Sequence, residues 1–150
     1  FRGVDRRFDF KIKTSRLVFL SDYAHHPAEI AQSVKSVREL YKDKKITAIF
    51  QPHLYTRTRD FYKDFADSLS LLDEVILTEI YPAREQPIPG VSSRLIYDNL
   101  RPGIEKCICP KEDILNLLSK KSVEVLIVLG AGDLDNYVPS ITQLLEQQSK

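Results

Sequence analysis
The segment Asp22-Tyr23-Ala24-His25-His26-Pro27 brings a carboxylate, a phenol and two imidazoles onto one turn. An apolar run at 17–20 leads into it and an amphipathic stretch at 28–42 leaves it. The turn is therefore expected between a strand and a helix. In open α/β sheets, ligands bind in the crevice at the carboxyl ends of the strands, which is where this turn would lie. Pro27 suits the first turn of a helix, and a helix N-terminus there would offer unpaired N–H groups to an anion. Each residue also has a plainer reading. Asp22 could simply end a strand. His25 and His26 are adjacent, so both cannot easily ligate one metal from a helix face, and no metal is assigned to them.

Three other polar groups follow apolar runs in the same way. They are Gln51-Pro52-His53-Leu54-Tyr55-Thr56-Arg57, the set Glu79, Tyr81, Pro82 and Arg84, and Gly130-Ala131-Gly132-Asp133. If the strands are parallel, all of these turns share one edge of the sheet and converge on one cleft. Arg57 and Arg59 read either as solvated side chains or as a guanidinium fork for a carboxylate or phosphate. Thr56 or Thr58 could cap the helix that follows. Gly130-Ala131-Gly132 would permit close backbone approach to a ligand, but it lacks the full dinucleotide fingerprint. No Gly-x-x-x-x-Gly-Lys-Ser/Thr segment is present, so the chain has no P-loop of its own.

The elements that must position these groups follow from periodicity. Short apolar runs at 17–20, 46–50, 75–80, 107–109 and 123–129 suggest strands buried on both faces, as in a parallel sheet. Helical stripes alternate with them: Ile30, Val34, Val37 and Leu40; Phe61, Phe65, Leu69 and Leu72; Ile114, Leu117 and Leu118; Ile141, Leu144 and Leu145. This alternation predicts a doubly wound α/β domain with a mostly parallel sheet of about six strands flanked by helices. The segment 7–12 alternates differently and is expected to be an antiparallel edge strand. Pro82, Pro87, Pro89 and Gly90 mark one long loop before a short helix starting near Ser92.

Composition sets the frame. The 150 residues fit a single domain, 1–150, with a sizeable core. Twenty-two basic and 21 acidic residues give a net charge of +1, which suggests neither a nucleic-acid nor a membrane partner. The basic stretch 2–16 interleaves Phe8 and Phe10, but Asp5 and Asp9 interrupt it. No apolar run approaches the ~20 residues of a membrane span. Cys107 and Cys109 would share one face of a strand, poor geometry for a mutual disulfide, and read as reduced thiols of a cytoplasmic protein. The chain contains no Met and opens on Phe1 with no visible signal peptide, so it is expected to be a piece of a longer protein.

The residues Arg6-Arg7-Phe8, the Asp22–Pro27 segment, Phe50-Gln51-Pro52-His53-Leu54-Tyr55-Thr56-Arg57-Thr58, Tyr81-Pro82-Ala83-Arg84-Glu85-Gln86-Pro87-Ile88-Pro89-Gly90 and Gly130-Ala131-Gly132-Asp133 occur in order over nearly the whole chain. Together they resemble the Rossmann-like C-terminal domain of the Mur ligases, most closely the alanine-adding branch. The resemblance implies ATP-dependent amide formation in peptidoglycan precursor synthesis. In that reaction the carboxylate of UDP-N-acetylmuramate is phosphorylated, and the amino group of L-alanine attacks the acyl phosphate. It implies a three-domain enzyme in which this domain closes over a central ATPase domain, which would supply most of the contacts to ATP and Mg2+. The isolated chain would then be inactive.

By the same resemblance, Arg7 reaches the phosphate region and, with His53, is a catalytic candidate. Tyr23, His53 and Arg57 surround the amino-acid substrate, with Arg57 suited to its carboxylate. Asp22 and His25 lie toward the nucleotide. Leu54 departs from the pattern, standing where some members carry a second arginine. This shifts weight to Arg57, with Arg59 or Arg84 as helpers. Two alternatives stand beside this reading: a non-catalytic nucleotide- or anion-binding module, and the related ligase that recycles whole peptides.

Overall fold
The computed structural model describes residues 8–149. The elements run β1 (Asp9–Lys13), β2 (Val18–Asp22), α1 (Pro27–Leu40), β3 (Ile46–Phe50), α2 (Tyr55–Ser68), β4 (Glu74–Leu77), α3 (Arg94–Asn99), β5 (Glu105–Ile108), α4 (Ile114–Ser119), β6 (Val125–Leu129) and α5 (Val138–Gln148). One sheet takes the order β1-β2-β6-β3-β4-β5. Among the described residues only β1 is antiparallel, and every other strand pairing is parallel. The expected six-stranded α/β architecture with an antiparallel edge is therefore present.

The central strands are continuous apolar runs because helices cover both faces. Every residue of β3 and β6 is buried. Side chains alternate between the two layers. Leu20, Phe50, Ile127 and Leu129 pack with Ile30, Val34 and Val37 of α1, Phe65 of α2 and Ile96 of α3. Phe19, Ile49, Leu126 and Val128 pack with Ile114 and Leu118 of α4 and with Ile141 and Leu145 of α5. Each such side chain contributes roughly 1.5–3 kcal/mol on burial, which makes the sheet a stiff base for its loops.

Two stripe residues fall outside the core. Leu40 is 59% exposed at the end of α1. Phe61 is 45% exposed, and there the backbone of α2 leaves helical geometry (φ −128°), breaking the phase of the stripe.

Register aligns the strand ends. Asp22 and Phe50 both pair with Leu129, Phe50 also pairs with Leu77, and Leu77 pairs with Ile108. The turns after β2, β3, β4 and β6 thus emerge along one edge, as parallel strands require. β6 comes last in sequence yet lies between β2 and β3. Its glycine turn therefore sits between the Tyr23 turn and the His53 turn. Among the described residues, no helix is long and apolar enough to cross a membrane.

Candidate functional site
The first turn is built from the inside. Asp22 is 1% exposed. Its Oδ1 accepts the Ala24 N–H at 2.9 Å and its Oδ2 accepts the Ser33 hydroxyl at 2.7 Å. The carboxylate therefore clamps the turn to α1. Both oxygens are thus engaged within the chain, and Tyr23 and His25 beside them are half-buried. His26 is the N-cap of α1 and Pro27 opens the helix. Glu29 Oε1 accepts the N–H groups of both His25 and His26, each at 3.2 Å, the carboxylate half of a capping box. His25 Nδ1 lies 3.0 Å from the Tyr23 carbonyl. A carbonyl only accepts, so Nδ1 carries the hydrogen.

The second turn is tied to the third. His53 and Tyr81 form a parallel bridge beyond β3 and β4. The Tyr81 N–H donates to Pro52 O and the Leu54 N–H donates to Tyr81 O, both at 2.8 Å. Leu54 takes φ +75°, a conformation that costs a non-glycine residue roughly 1–3 kcal/mol and that clusters at functional sites. Neither Thr56 nor Thr58 caps α2 in the expected way. Leu54 is the N-cap and supplies no side-chain bond. Thr58 Oγ1 instead donates back to Leu54 O at 2.9 Å. The Thr56 N–H and hydroxyl both donate to the Glu85 carboxylate.

These turns bring four aromatic rings into a chain. Tyr23 and His25 meet edge to face at 5.6 Å, His25 and His53 at 5.9 Å, and His53 stands 5.5 Å from Tyr81. His26 lies 4.6 Å from His25. His25 thus joins the group of Tyr23 and His53. Burial, and then the positive charge of Arg57 and of His25, hold the His53 imidazole below its ordinary range. Burial and Arg57 do the same to His26. His53 is therefore neutral near pH 7. Among the described residues, the buried atoms His53 Nδ1 and Arg57 Nη1 have no hydrogen-bond partner. Buried polar atoms in native proteins are nearly always paired, so two such atoms at one edge mark a place for a polar ligand.

Gly130-Ala131-Gly132 serves a different end from the expected one. A Cβ on Gly132 would lie 2.4 Å from Gln51 Oε1 and 2.8 Å from the Tyr81 Cβ and Cγ; one on Gly130 would lie 2.9 Å from Gln51 O. The close approach is to the chain's own third and second turns. Gln51 completes the lock, donating to Asp133 Oδ1 at 2.8 Å and accepting the Leu134 N–H at 3.0 Å. Gln51, Ser33 and Glu85 are thus functional supports that sequence reading left without roles. All three bind residues distant in sequence, so no local pattern marks them.

The other candidates separate clearly. Arg59 turns to Asp60 at 2.9 Å on the surface, and Arg84 is exposed. Arg7, expected near the phosphate, lies outside the described residues. His25, His26 and Glu29 place ligand atoms within 4.8 Å of one another. The trio is a poor Mg2+ site, because that ion prefers oxygen ligands, Glu29 Oε1 already serves two N–H groups, and Arg57 is close enough to depress His26.

The family described as "Mur ligase, glutamate ligase domain" matches residues 6–134. The UDP-N-acetylmuramate–L-alanine ligase of Phocaeicola vulgatus is 77% identical over 148 residues, covering 99% of this chain and 32% of that protein. The ligase of the same name from Parabacteroides distasonis is 55% identical over 148 residues, with the same coverage. The crystal structure of the UDP-N-acetylmuramate-alanine ligase of Thermotoga maritima superposes with a TM-score of 0.73 at 29% identity, covering 97% of this chain and 30% of that one. The chain spans about a third of the length of the curated relatives it matches. With the fold, the strand-end motifs and these similarities in agreement, the chain belongs to the Mur ligase family, as its glutamate ligase domain.

Proposed function
We propose that this chain is the amino-acid side of an ATP-dependent ligase that joins L-alanine to UDP-N-acetylmuramate in cytoplasmic peptidoglycan precursor synthesis. On this reading it is one domain of a longer, three-domain enzyme. The observation that carries the proposal is the pair of buried, unpartnered atoms His53 Nδ1 and Arg57 Nη1 at the carboxyl edge of the sheet. An amino acid presents a carboxylate and an ammonium a few ångströms apart. Arg57 supplies a permanent planar cation for the first. The neutral His53 imidazole supplies an acceptor for the second, and so orients the nitrogen that must attack. Tyr23 closes the wall and keeps the side-chain space small. His25 borders this pocket and carries the expected nucleotide side of the turn, because the Asp22 carboxylate is enclosed. ATP and Mg2+ would be held mainly by a central ATPase domain, to which Arg7 would add a cation near the phosphate. Closure of the two domains would exclude water from a reactive acyl phosphate.

The names of the close relatives favour this substrate pair over the alternatives of a stand-alone anion module or a peptide-recycling ligase. The test is phosphate release. The full-length enzyme is expected to release phosphate only when L-alanine, UDP-N-acetylmuramate and ATP are all present, and the 150-residue chain alone is expected to release none. Turnover by the chain alone, or alanine-independent turnover by the full enzyme, would refute the reading.

A further inference from the structure
The start of α2 depends on an outside support. Its N-cap, Leu54, offers no side-chain bond and sits at φ +75°. The helix is kinked at Phe61, so residues 55–60 are offset from the part anchored in the core by Phe65 and Ala66. Three bonds from another loop reach Leu54 and this short segment. The Tyr81 carbonyl accepts the Leu54 N–H at 2.8 Å. Glu85 Oε1 accepts the Thr56 N–H at 3.1 Å, and its Oε2 accepts the Thr56 hydroxyl. The supporting loop is itself folded back, with the Glu85 N–H donating to Pro82 O at 2.9 Å and Ala83 at φ +53°. A carboxylate is also the favourable charge at a helix N-terminus.

We propose that Glu85 is a positioning residue for Arg57, capping α2 from a distant loop and fixing the helical turn that aims the guanidinium at a carboxylate ligand. Thr56, which Glu85 holds at two atoms, is the residue immediately before Arg57. Arg57 Nη1 has no partner among the described residues, so its aim is inherited from the backbone that carries it. Displacements of about 1 Å in such groups are enough to cost large factors in a reaction that depends on orientation. Glu85 touches neither substrate nor reacting atom in this account. It acts through Thr56. The proposal rests on the amino-acid-site reading above only for its kinetic part.

Two measurements test it, and they fail separately. The first is hydrogen–deuterium exchange in the 150-residue chain. Glu85→Ala is expected to speed exchange of the Thr56 amide about tenfold, the scale of one lost hydrogen bond to a charged group, with β3 and β6 amides unchanged. Glu85→Gln can keep both bonds with the threonine hydroxyl reversed, and should stay near the parent. Unchanged Thr56 exchange in Glu85→Ala would overturn the proposal without touching the substrate assignment.

The second measurement is kinetic, in the full-length enzyme. Glu85→Ala should raise the KM for L-alanine about tenfold while the KM for ATP and kcat stay within about twofold, and Glu85→Gln should restore most of the loss. Equal rises in both KM values, or no recovery in Glu85→Gln, would overturn it. Should Glu85→Ala fail to fold, Thr56→Val removes the hydroxyl bond alone. It should give a smaller rise, about threefold, confined to L-alanine, and an unchanged constant would overturn the proposal equally. A parent enzyme with no alanine-dependent turnover would refute the function, and the exchange experiment would still decide the clamp.

Discussion

At the amino edge of the sheet, Arg38 donates to Asp73 at 2.7 Å and to the carbonyl oxygens of Lys44 and Leu71. Lys45 pairs with Glu105 at 2.9 Å, and Lys121 with the buried Glu74 at 2.6 Å. Thr47 donates to the other Glu74 oxygen. At the carboxyl edge the pattern reverses. A guanidinium and an imidazole keep buried atoms without partners among the described residues, a leucine holds positive φ, and a glycine lets two turns touch. Charged groups stand at both edges, so charge alone does not locate a site. Satisfaction does. Where carboxylates have their cations the charges fasten strands, and where buried polar atoms lack partners the edge is prepared for something from outside.

The comparison can be broken at either edge. The largest expected effect is on stability. Glu74→Ala leaves Lys121 and the Thr47 hydroxyl without their acceptor and should cost about 3 kcal/mol in chemical denaturation. It should leave the KM for L-alanine unchanged. A large kinetic effect with little loss of stability would erase the distinction between the edges.

A smaller effect is expected from pH. His53 and His26 are held below the unfolded value of 6.5. Between the native and unfolded values the unfolded chain binds more protons, so stability rises with pH there. This contribution is complete above pH 6.5 and is lost as pH falls through the lower native values. At the amino edge, the hydrogen bond with Lys45 lowers Glu105, and the one with Glu105 raises Lys45, so these groups keep their charge across the same window. Melting temperature should therefore fall from pH 7 toward pH 5.5 in the parent and fall less in a His26→Gln, His53→Gln double variant. Equal slopes would show that the carboxyl edge is not the pH-sensitive one.

Much of this was legible in the sequence because it is local. Continuous apolar runs marked β3 and β6, Pro27 marked the start of α1, and polar residues after each run marked the edge where they would meet. What was not legible depends on contacts across the fold. Nothing in residues 17–27 announces that the Ser33 hydroxyl donates to the Asp22 carboxylate. Gly130 and Gly132 read as room for a ligand, whereas the insertion of β6 between β2 and β3 gives that room to Gln51 and Tyr81. The apolar period of α2 runs on through Phe61, where the helix is kinked and the ring exposed, and the Glu85 carboxylate that holds Thr56 comes from well apart in sequence.

The central claim is that Arg57 grips the carboxylate of the amino-acid substrate. The most direct measurement is the KM for L-alanine of full-length Arg57→Ala enzyme, set beside its KM for ATP. Loss of a charge-assisted pair of hydrogen bonds, about 2–3 kcal/mol, predicts a rise of roughly 30- to 150-fold for L-alanine, with the constant for ATP little changed. An unchanged constant for L-alanine, or an equal rise in both, would contradict the account.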